Sequence, residues 1–426
     1  MGESTVSPDE AREAARSWLS DHWHGTDDDA WRDAVVSAGW AAPTWPADNY
    51  GRGLDRKAAR AAAEEFRAAG APAGCQDMTP FHDNPWLYLL GNPLLAYGGK
   101  EAKEHFIPLL LKGDVGQGCL LYSEPGAGSD LAGLQTRAEL DGDEYVVTGQ
   151  KIWTTNGQVA KYGLLLARTD WDVPKHAGLS FFVIDMKQPG IEVRPIRQIT
   201  GDAEFNEVFL TEARVPAAWM IGAPGEGWRA LQIALAAERS GMGSMSSSMS
   251  GTAIKTGLRE AADDLVEAAR RAGRLDDAQV RQDIVRIMSW RLTNIWTGRR
   301  AAAEIKRGPS SLASLGKLAM SRILHAGADF TYRMQGEESL VYDYDNPLSC
   351  PVDRDLMFAF INSIGGGSDQ IQRNIISERV LGLPKGHEPD KGVPFRDVRK
   401  GAATRSVSQA CASTRTTPPE NERDTR

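Results

Sequence analysis

The loop from Tyr122 to Asp130 concentrates residues that could bind a polar ligand. Its sequence, YSEPGAGSD, contains two glycines, one proline and two serines. Glycines let backbone N–H groups approach a bound group closely, and successive N–H groups in a turn can cradle an anion. The same composition is also typical of a tight turn between a helix and a strand. The loop alone therefore indicates a ligand site only weakly.

The segments that must position this loop change type along the chain. A helical stretch comes first, and Ser7-Pro8-Asp9-Glu10 predicts a capping box at its first helix. Short β-rich runs with turn signals between them follow, and their spacing predicts a small antiparallel barrel or sandwich. We predict an α+β multidomain fold in four parts: an N-terminal helical domain (1–115), a middle antiparallel β domain (116–222), a C-terminal helical domain (223–388) and a disordered tail (389–426).

Hydrophobic periodicity and turn residues give the expected positions of the elements. The predicted helices lie at Arg56–Ala69, Leu87–Tyr97, Lys100–Leu111, 226–272, 277–306 and 311–336, with a last helix from the N-cap Ser368 to Gly382. The predicted strands lie at Glu144–Trp153, Tyr162–Thr169, Leu179–Met186, Ile191–Ile199 and Glu207–Leu210.

Composition excludes several classes of protein. The net charge of -8 argues against nucleic acid as the main partner. The four cysteines are far apart and form no CxxC pair, so we expect no disulfide framework, no metal site and a reducing cytoplasm. The first ten residues are polar and predict no signal peptide. No apolar run reaches about 18 residues, so we expect no membrane span.

Three motifs in order resemble those of the acyl-CoA dehydrogenases, a family of flavoproteins. The loop above matches the family's SEPGAGSD segment, and Gly149 to Asn156 (GQKIWTTN) matches the strand that follows it. Gly366 to Pro384 (GGSDQIQRNIISERVLGLP) matches the last motif. The resemblance spans residues 85 to 397. It implies a C-terminal four-helix bundle, FAD as cofactor and an acyl-CoA thioester as substrate.

The resemblance also implies roles for individual residues. Tyr122 and Ser123 would meet the edge of the flavin ring, and Trp153 would cover one face. Thr155 would hydrogen-bond near the reactive nitrogen, while Ser129 would face the CoA side. The implied cofactor-binding residues are Leu120, Tyr122, Ser123, Ser129, Trp153, Thr155, Ser368 and Gln370, the last two at the N-terminus of the last helix, where a helix dipole meets phosphate.

Dehydrogenation needs a carboxylate to take the α-proton of the substrate while the β-hydride passes to the flavin. Many family members place this Glu where the present chain has Gly366. A minority place it on the first bundle helix, directly before an arginine, and here Glu238-Arg239 occupies that position. We therefore predict Glu238 as the base, with Arg239 toward CoA. The Gly366 N–H remains available to the thioester carbonyl, as in an oxyanion hole.

The chain departs from the family in one binding motif. Many members carry Arg-x-Phe-Gly after the first bundle helix, and its arginine reaches FAD pyrophosphate across a subunit interface. Residues 270–283 contain no such motif, and either Arg271 or Arg274 could substitute.

Two further segments bear on the acyl group and the assembly. Small residues crowd Ser240 to Gly251; they leave room for a bulky acyl group, although close helix packing explains them equally well. The ending Gly382 to Arg396 resembles an actinobacterial branch that handles steroid CoA thioesters, often as heteromers of two related subunits.

The sequence leaves three functions open. The first is an acyl-CoA dehydrogenase that passes electrons to an electron-transfer flavoprotein. The second is a flavin monooxygenase or oxidase of the same fold, which reacts with oxygen. The third is a non-catalytic subunit that completes the site of a related partner, for which the missing arginine motif is the main argument. Glu238 and the complete last motif favour the dehydrogenase.

Overall fold

The N-terminal part is a set of helices around an aromatic core. The computed structural model describes residues 6–73, 86–244, 262–305, 312–343, 346 and 351–398. The predicted capping box is confirmed, because Ser7 Oγ accepts from the Glu10 backbone N–H and the Ser7 N–H donates to the Glu10 carboxylate. The helices are α1 Pro8–His22, α2 Asp29–Ser37, α3 Arg56–Ala68, α4 Trp86–Leu89, α5 Gly91–Tyr97 and α6 Lys100–Lys112.

The predicted helix Leu87–Tyr97 is two helices in the structure. Its break falls between Leu89 and Gly91, and Pro93 then lies in the first turn of α5. A proline fits there because its missing N–H would have no helical partner at that position. The aromatic core beneath these helices packs Trp18 5.3 Å from Trp31 and Trp40 5.7 Å from Phe66, measured between ring centroids.

The middle part is one curled, mostly antiparallel sheet. Its strands run in the order β1-β4-β2-β3-β7-β6, and β5 pairs with β4. β1 lies parallel to β4, and β2 meets β4 in parallel at one residue pair, so the sheet is not wholly antiparallel. The strands are β1 Gly118–Leu121, β2 Arg137–Asp141, β3 Glu144–Thr155, β4 Tyr162–Arg168, β5 Leu179–Asp185, β6 Ile191–Pro195 and β7 Phe205–Pro216.

Strand β4 joins two hydrophobic cores. Every residue of β4 is buried, and successive side chains point to opposite faces of the sheet. Leu164 and Leu166 pack with the N-terminal helices, whereas Leu165 and Ala167 pack inside the curled sheet. Strand β4 therefore contributes side chains to the core of the β domain and also to the core that it shares with the N-terminal helices.

The C-terminal part is a helical bundle with α10 at its centre. Helix α10 packs against α7, α8, α9, α11 and α12. Residues 245–251 of the small-residue stretch lie outside the described residues, so the expected acyl pocket is only partly in view. The helices are α7 Gly227–Ser244, α8 Asp263–Arg271, α9 Ala278–Ile305, α10 Ala313–Gln335, α11 Pro351–Ile364 and α12 Asp369–Ile375, which continues as a π turn over Ile376–Val380.

The start of the predicted disordered tail is ordered, so that part of the prediction was wrong. The Phe395 ring is buried and lies 3.4 Å over the guanidinium carbon of the buried Arg168. The Phe395 N–H donates to the Val173 carbonyl, and the Arg396 N–H donates to the Trp171 carbonyl. One aromatic residue is enough to anchor this polar segment, because its ring packs on the guanidinium of the buried Arg168. Residues 399–426 lie outside the described residues.

Within the described ranges, no helix combines the length and apolarity needed to cross a bilayer.

Candidate active site

A buried ion pair attaches the glycine-rich loop to strand β3. Lys151, wholly buried, donates to the Glu124 carboxylate at 2.9 Å and to the Tyr122 carbonyl at 3.1 Å. Glu124 also accepts from the backbone N–H groups of Gln135 and Thr136, at 2.6 and 2.8 Å. The Glu124 carboxylate therefore joins the start of the loop to Gln135 and Thr136, and the Lys151 ammonium fixes the loop to β3.

The pKa of each member of this pair is shifted by burial and by the charge of the other member. Burial opposes the charge of Glu124, but Lys151 and the two backbone donors outweigh it, so the Glu124 pKa lies below its ordinary value. Burial lowers the Lys151 pKa, and Glu124 partly offsets that shift. A buried pair of this kind is destabilising to break, because the remaining charge has no partner.

A bulge in β3 turns Trp153 outward. The register of β3 against β7 shifts between Lys151 and Thr154, and Trp153 adopts a φ of 61°. That left-handed backbone is costly for a bulky residue, by about 1–3 kcal/mol, and such strain is often found at functional sites. Trp153 is 57% exposed, and among the described rings its indole meets only Phe205, in a T-shaped arrangement. Thr155, half-buried, follows at the end of the strand.

The charge of Glu238 shifts the pKa of Tyr122 in the loop and of Lys317 in the bundle. Glu238 is half-buried on α7. Burial raises the pKa of the Tyr122 phenol well above its ordinary value, and the Glu238 charge raises it further. Burial lowers the pKa of Lys317, while Asp369 and then Glu238 oppose that shift. The fold thus brings the predicted base, the loop and α10 together.

The last motif forms a left-handed glycine turn before α12. Gly366 and Gly367 have φ values of 62° and 89°, which residues with a Cβ rarely adopt. A Cβ on Gly367 would also come within 2.8 Å of Gln372 Nε2, which donates to the Gly366 carbonyl. Ser368 is the N-cap, as predicted, with Oγ accepting from the Ile371 N–H. Gln370 lies exposed in the first turn.

The remaining predicted residues occupy the rim of this region. Leu120 is half-buried on β1, and Ser123 accepts the Ile152 N–H at its carbonyl. Ser129 is exposed at the loop tip, next to the Asp130–Lys175 ion pair. Arg239 lies on α7, but its side chain is outside the described residues. The ligand contacts of all these residues stay predictions.

The two candidate pyrophosphate arginines are engaged locally. Arg271 pairs with Glu267 at 3.0 Å, and Arg274 pairs with Asp277 at 2.6 Å. Both pairs are partly or largely exposed, and such pairs are easily exchanged for another anion. The geometry does not choose between the two arginines.

The loop and β3 fit a flat aromatic cofactor such as a flavin. Trp153 presents an open indole face, and Ile152 joins this strand to the loop through its hydrogen bond to Ser123. The buried Tyr122 hydroxyl has no hydrogen-bond partner within the described part of the chain, which is unusual for a buried polar atom. A group with ring-edge acceptors would satisfy it.

Three structural residues of the site were not identified from the sequence. Glu124 and Lys151 both lie within the motifs quoted above, yet neither was given a role. Lys317 stands in an otherwise apolar and small stretch, SLGKLAM. A lone charge on a buried helix face is the signal that could have revealed it, because such charges are buried only with partners.

Family models match almost the whole chain. The acyl-CoA dehydrogenase N-terminal domain matches residues 7–114, the middle domain matches 119–212, and the C-terminal domain matches 225–381. Acyl-CoA dehydrogenase IpdE1 of Mycobacterium tuberculosis is 38% identical over 367 residues, which cover 84% of this chain and 88% of the relative.

Solved structures share the fold. The Tcur3481-Tcur3483 steroid ACAD has a TM-score of 0.63 and 26% identity, and the match covers 89% of this chain and 98% of that one. The ChsE4-ChsE5 complex from Mycobacterium tuberculosis has a TM-score of 0.55 and 25% identity, with 91% and 100% covered. The N-terminal helices, the middle β domain and the C-terminal helical region correspond to the three family domains. The chain therefore belongs to the acyl-CoA dehydrogenase family, whose members are FAD-dependent oxidoreductases acting on the CH–CH bond of acyl-CoA thioesters.

Proposed function

We propose that this chain oxidises the Cα–Cβ bond of an acyl-CoA with Glu238 as the base that takes the α-proton. The observation that carries the proposal is the position of Glu238. Its helix α7 packs on α10, and its charge raises the pKa of both Tyr122 and Lys317; Gly366 stands where many family members place the base. A carboxylate on α7 then serves the purpose that a carboxylate before α12 serves elsewhere.

The residues of this chain divide the reaction between them. FAD, when bound, supplies the hydride acceptor. Glu238 takes the α-proton, and the Gly366 N–H donates to the thioester oxygen, where negative charge develops. Tyr122 stays protonated because its pKa is raised by burial and by Glu238. Trp153 and Thr155 position the ring against the loop.

The proposed substrate is an acyl-CoA with a bulky, steroid-type acyl group. Supporting this are the small residues at 240–251, the resemblance of the segment 382–396 and the similarity to a solved steroid ACAD. We also propose an electron-transfer flavoprotein as the acceptor. A related second subunit is proposed because the chain lacks the arginine motif and resembles two complexes named for two proteins.

Anaerobic reduction of the flavin by a panel of acyl-CoAs tests this function. The FAD-loaded protein is mixed with butyryl-CoA, a branched-chain acyl-CoA and a steroid side-chain acyl-CoA, and flavin absorbance is followed. Acetyl-CoA is the control, since it has no β-carbon to oxidise. We expect bleaching by the steroid compound and none by acetyl-CoA. Failure of every panel member to bleach the flavin would contradict the proposal.

The same preparation separates the two alternatives. Slow reoxidation of the reduced flavin in air, with fast reoxidation by an electron-transfer flavoprotein, supports the dehydrogenase; fast reoxidation in air supports a monooxygenase or oxidase. A chain purified alone without flavin absorbance, which gains it when a related subunit is added, supports the shared-site alternative.

A further inference from the structure

A buried cation holds the glycine turn from the side of α10. Lys317 is fully buried, and its Nζ donates to the Gly367 carbonyl at 2.7 Å and lies 3.6 Å from Asp369 Oδ1. Gln372 Nε2 holds the neighbouring Gly366 carbonyl at 2.8 Å. Because each peptide unit is planar and trans, fixing these carbonyls also fixes the N–H groups of Gly367 and Ser368, and with them the turn that carries the Gly366 N–H.

A chain of hydrogen bonds runs outward from this cation through the bundle. Asp369 Oδ2 accepts from Ser321 Oγ at 2.9 Å. Ser321 Oγ lies 2.7 Å from Ser363 Oγ, and Ser363 Oγ lies 2.6 Å from His325 Nε2. These residues come from α10, α11 and α12, and Ser321 is almost fully buried. None of them belongs to the roles assigned above.

The directions of these hydrogen bonds follow from the number of protons available. An ionised carboxylate can only accept hydrogen bonds, so the Ser321 hydroxyl donates its one proton to Asp369. Ser321 must then accept from Ser363, and Ser363, having spent its own proton, must accept from His325. His325 Nε2 therefore carries a proton and donates, whether the ring is neutral or charged. The chain defines one tautomer of the neutral imidazole.

The charged neighbours of His325 are turned away from this chain. On its own helix, Arg322 lies 3.7 Å over the Trp290 ring of α9, and Asp329 pairs with Arg333 at 3.0 Å. From α11, the Phe360 ring packs edge-on against the imidazole at 4.8 Å. The titratable groups that share the hydrogen-bonded chain with His325 are thus Asp369 and, through it, Lys317.

We propose that His325 is a positioning residue for the active site, which sets Asp369 through Ser363 and Ser321 so that Lys317 stays on the Gly367 carbonyl. The consequence lies in the competition for Lys317. Both Asp369 and Glu238 attract this ammonium. If Asp369 rotates away, the balance of these two attractions shifts toward Glu238, which would weaken the Lys317 contact to the Gly367 carbonyl and release the turn. This inference rests on the proposed function for what the turn and the base do.

Two substitutions at one position test the hydrogen bond rather than the side-chain volume. His325→Leu removes the donor, whereas His325→Gln places an amide N–H near the position of Nε2. In the FAD-loaded full chain, with the acyl-CoA that bleaches the wild type fastest, we expect His325→Leu to lower the limiting rate of flavin reduction about tenfold. A tenfold change corresponds to about 1.4 kcal/mol, which lies within the range for the loss of one hydrogen bond between neutral groups. The substrate concentration at half-saturation should change little.

The conservative variant and a double-mutant cycle decide the outcome. His325→Gln should recover most of the wild-type rate. Ser363→Ala should resemble His325→Leu, and the double variant should be no slower than either single variant, because the residues act in series. Equal losses for Gln and Leu, or losses that multiply in the double variant, would overturn the proposal and indicate separate packing effects.

A spectroscopic measurement keeps this test independent of the reaction. Nitrogen-15 histidine labelling with long-range proton–nitrogen correlation reports which ring nitrogen is protonated, and His325→Gln assigns the signal. At a pH where the ring is neutral, we expect the proton on Nε2 and, in Ser363→Ala, a mixture of tautomers. A neutral ring protonated at Nδ1 in the wild type would contradict the proposed directions of these hydrogen bonds. If no acyl-CoA reduces the flavin while the Nε2–H tautomer is found, the proposed function fails and the network stands.

Discussion

At the scale of single residues, Trp153 combines an unfavourable backbone with an exposed indole. Its φ of 61° lies in the left-handed region, and the side chain is more than half exposed. The exposed indole therefore contributes little to the stability of the fold, whereas the backbone conformation of Trp153 lowers that stability. A conformation of this kind is explained most simply by a ligand that uses the indole face.

Substitutions of Trp153 should separate strain from binding. Trp153→Gly removes the indole and tolerates positive φ, whereas Trp153→Ala removes the indole and keeps a Cβ. We expect the glycine variant to be more stable than the alanine variant by about 1 kcal/mol in denaturant unfolding without FAD. Both should bind FAD more weakly than the wild type in a fluorescence titration. Equal FAD affinity in all three proteins would show that the indole does not face the cofactor.

Single residues were the part of the site most accessible to sequence reasoning. Ser368 as the N-cap of the last helix followed from local chemistry, because capping depends on the residue itself. The position of Glu238 beside Lys317 did not follow, since it depends on how α7 packs on α10. An electrostatic interaction between residues 79 positions apart leaves no local pattern.

At the scale of elements, the Glu124–Lys151 pair connects the loop to β3. Replacing one partner leaves a buried charge, so we expect Lys151→Met to destabilise the fold by about 3–5 kcal/mol. Urea unfolding followed by circular dichroism measures this loss. The double variant Lys151→Met/Glu124→Gln should be less destabilised than the sum of the two single variants. Additive losses would mean that the two side chains are not coupled.

The same pair predicts a dependence of stability on pH. The Glu124 pKa is lowered in the folded state from an ordinary value of 4.5, against burial, by Lys151 and backbone donors. Its contribution to stability is thus fully present above pH 4.5 and is lost as the pH falls through the folded-state value. Glu124→Gln should flatten the acid limb of the unfolding free energy against pH, and the exposed Glu13→Gln should not. An unchanged limb in Glu124→Gln would contradict the assignment.

Strands β1 and β2 show why elements were predicted unequally. β1 has only four residues, and β2 is largely exposed and polar. β1 is too short to be recognised as a strand, and β2 lacks the alternating or apolar pattern by which longer strands are recognised. β4 and β5, with long buried runs, were placed to within one residue at either end. Pairing in parallel between β1 and β4 is a tertiary property that the local pattern does not contain.

At the scale of the whole molecule, the segment around Phe395 returns from the bundle to the β domain. Phe395→Ala should destabilise the protein by about 3–5 kcal/mol, because the ring is buried against Arg168. The matched control is Arg396→Ala, which removes only an exposed ion pair with Asp172 and should cost less than about 1 kcal/mol. Thermal unfolding compares the two. Similar small effects for both would show that this segment does not hold the domains together.

The three-part architecture was predictable because composition and periodicity change sharply along the chain. The return of the chain at Phe395 was not, because one buried ring within a polar segment does not alter a compositional average. The same limit applies to the hydrogen-bonded chain from Lys317 to His325, whose members are spread over three helices.

The role of Glu238 is tested most directly by Glu238→Gln in anaerobic flavin reduction. The amide has nearly the same shape but cannot accept the α-proton, so the rate of bleaching should fall by at least about a hundredfold. FAD should stay bound, as measured by visible absorbance, and the exposed Glu104→Gln should bleach like the wild type. Bleaching of Glu238→Gln at a near-normal rate would contradict the account.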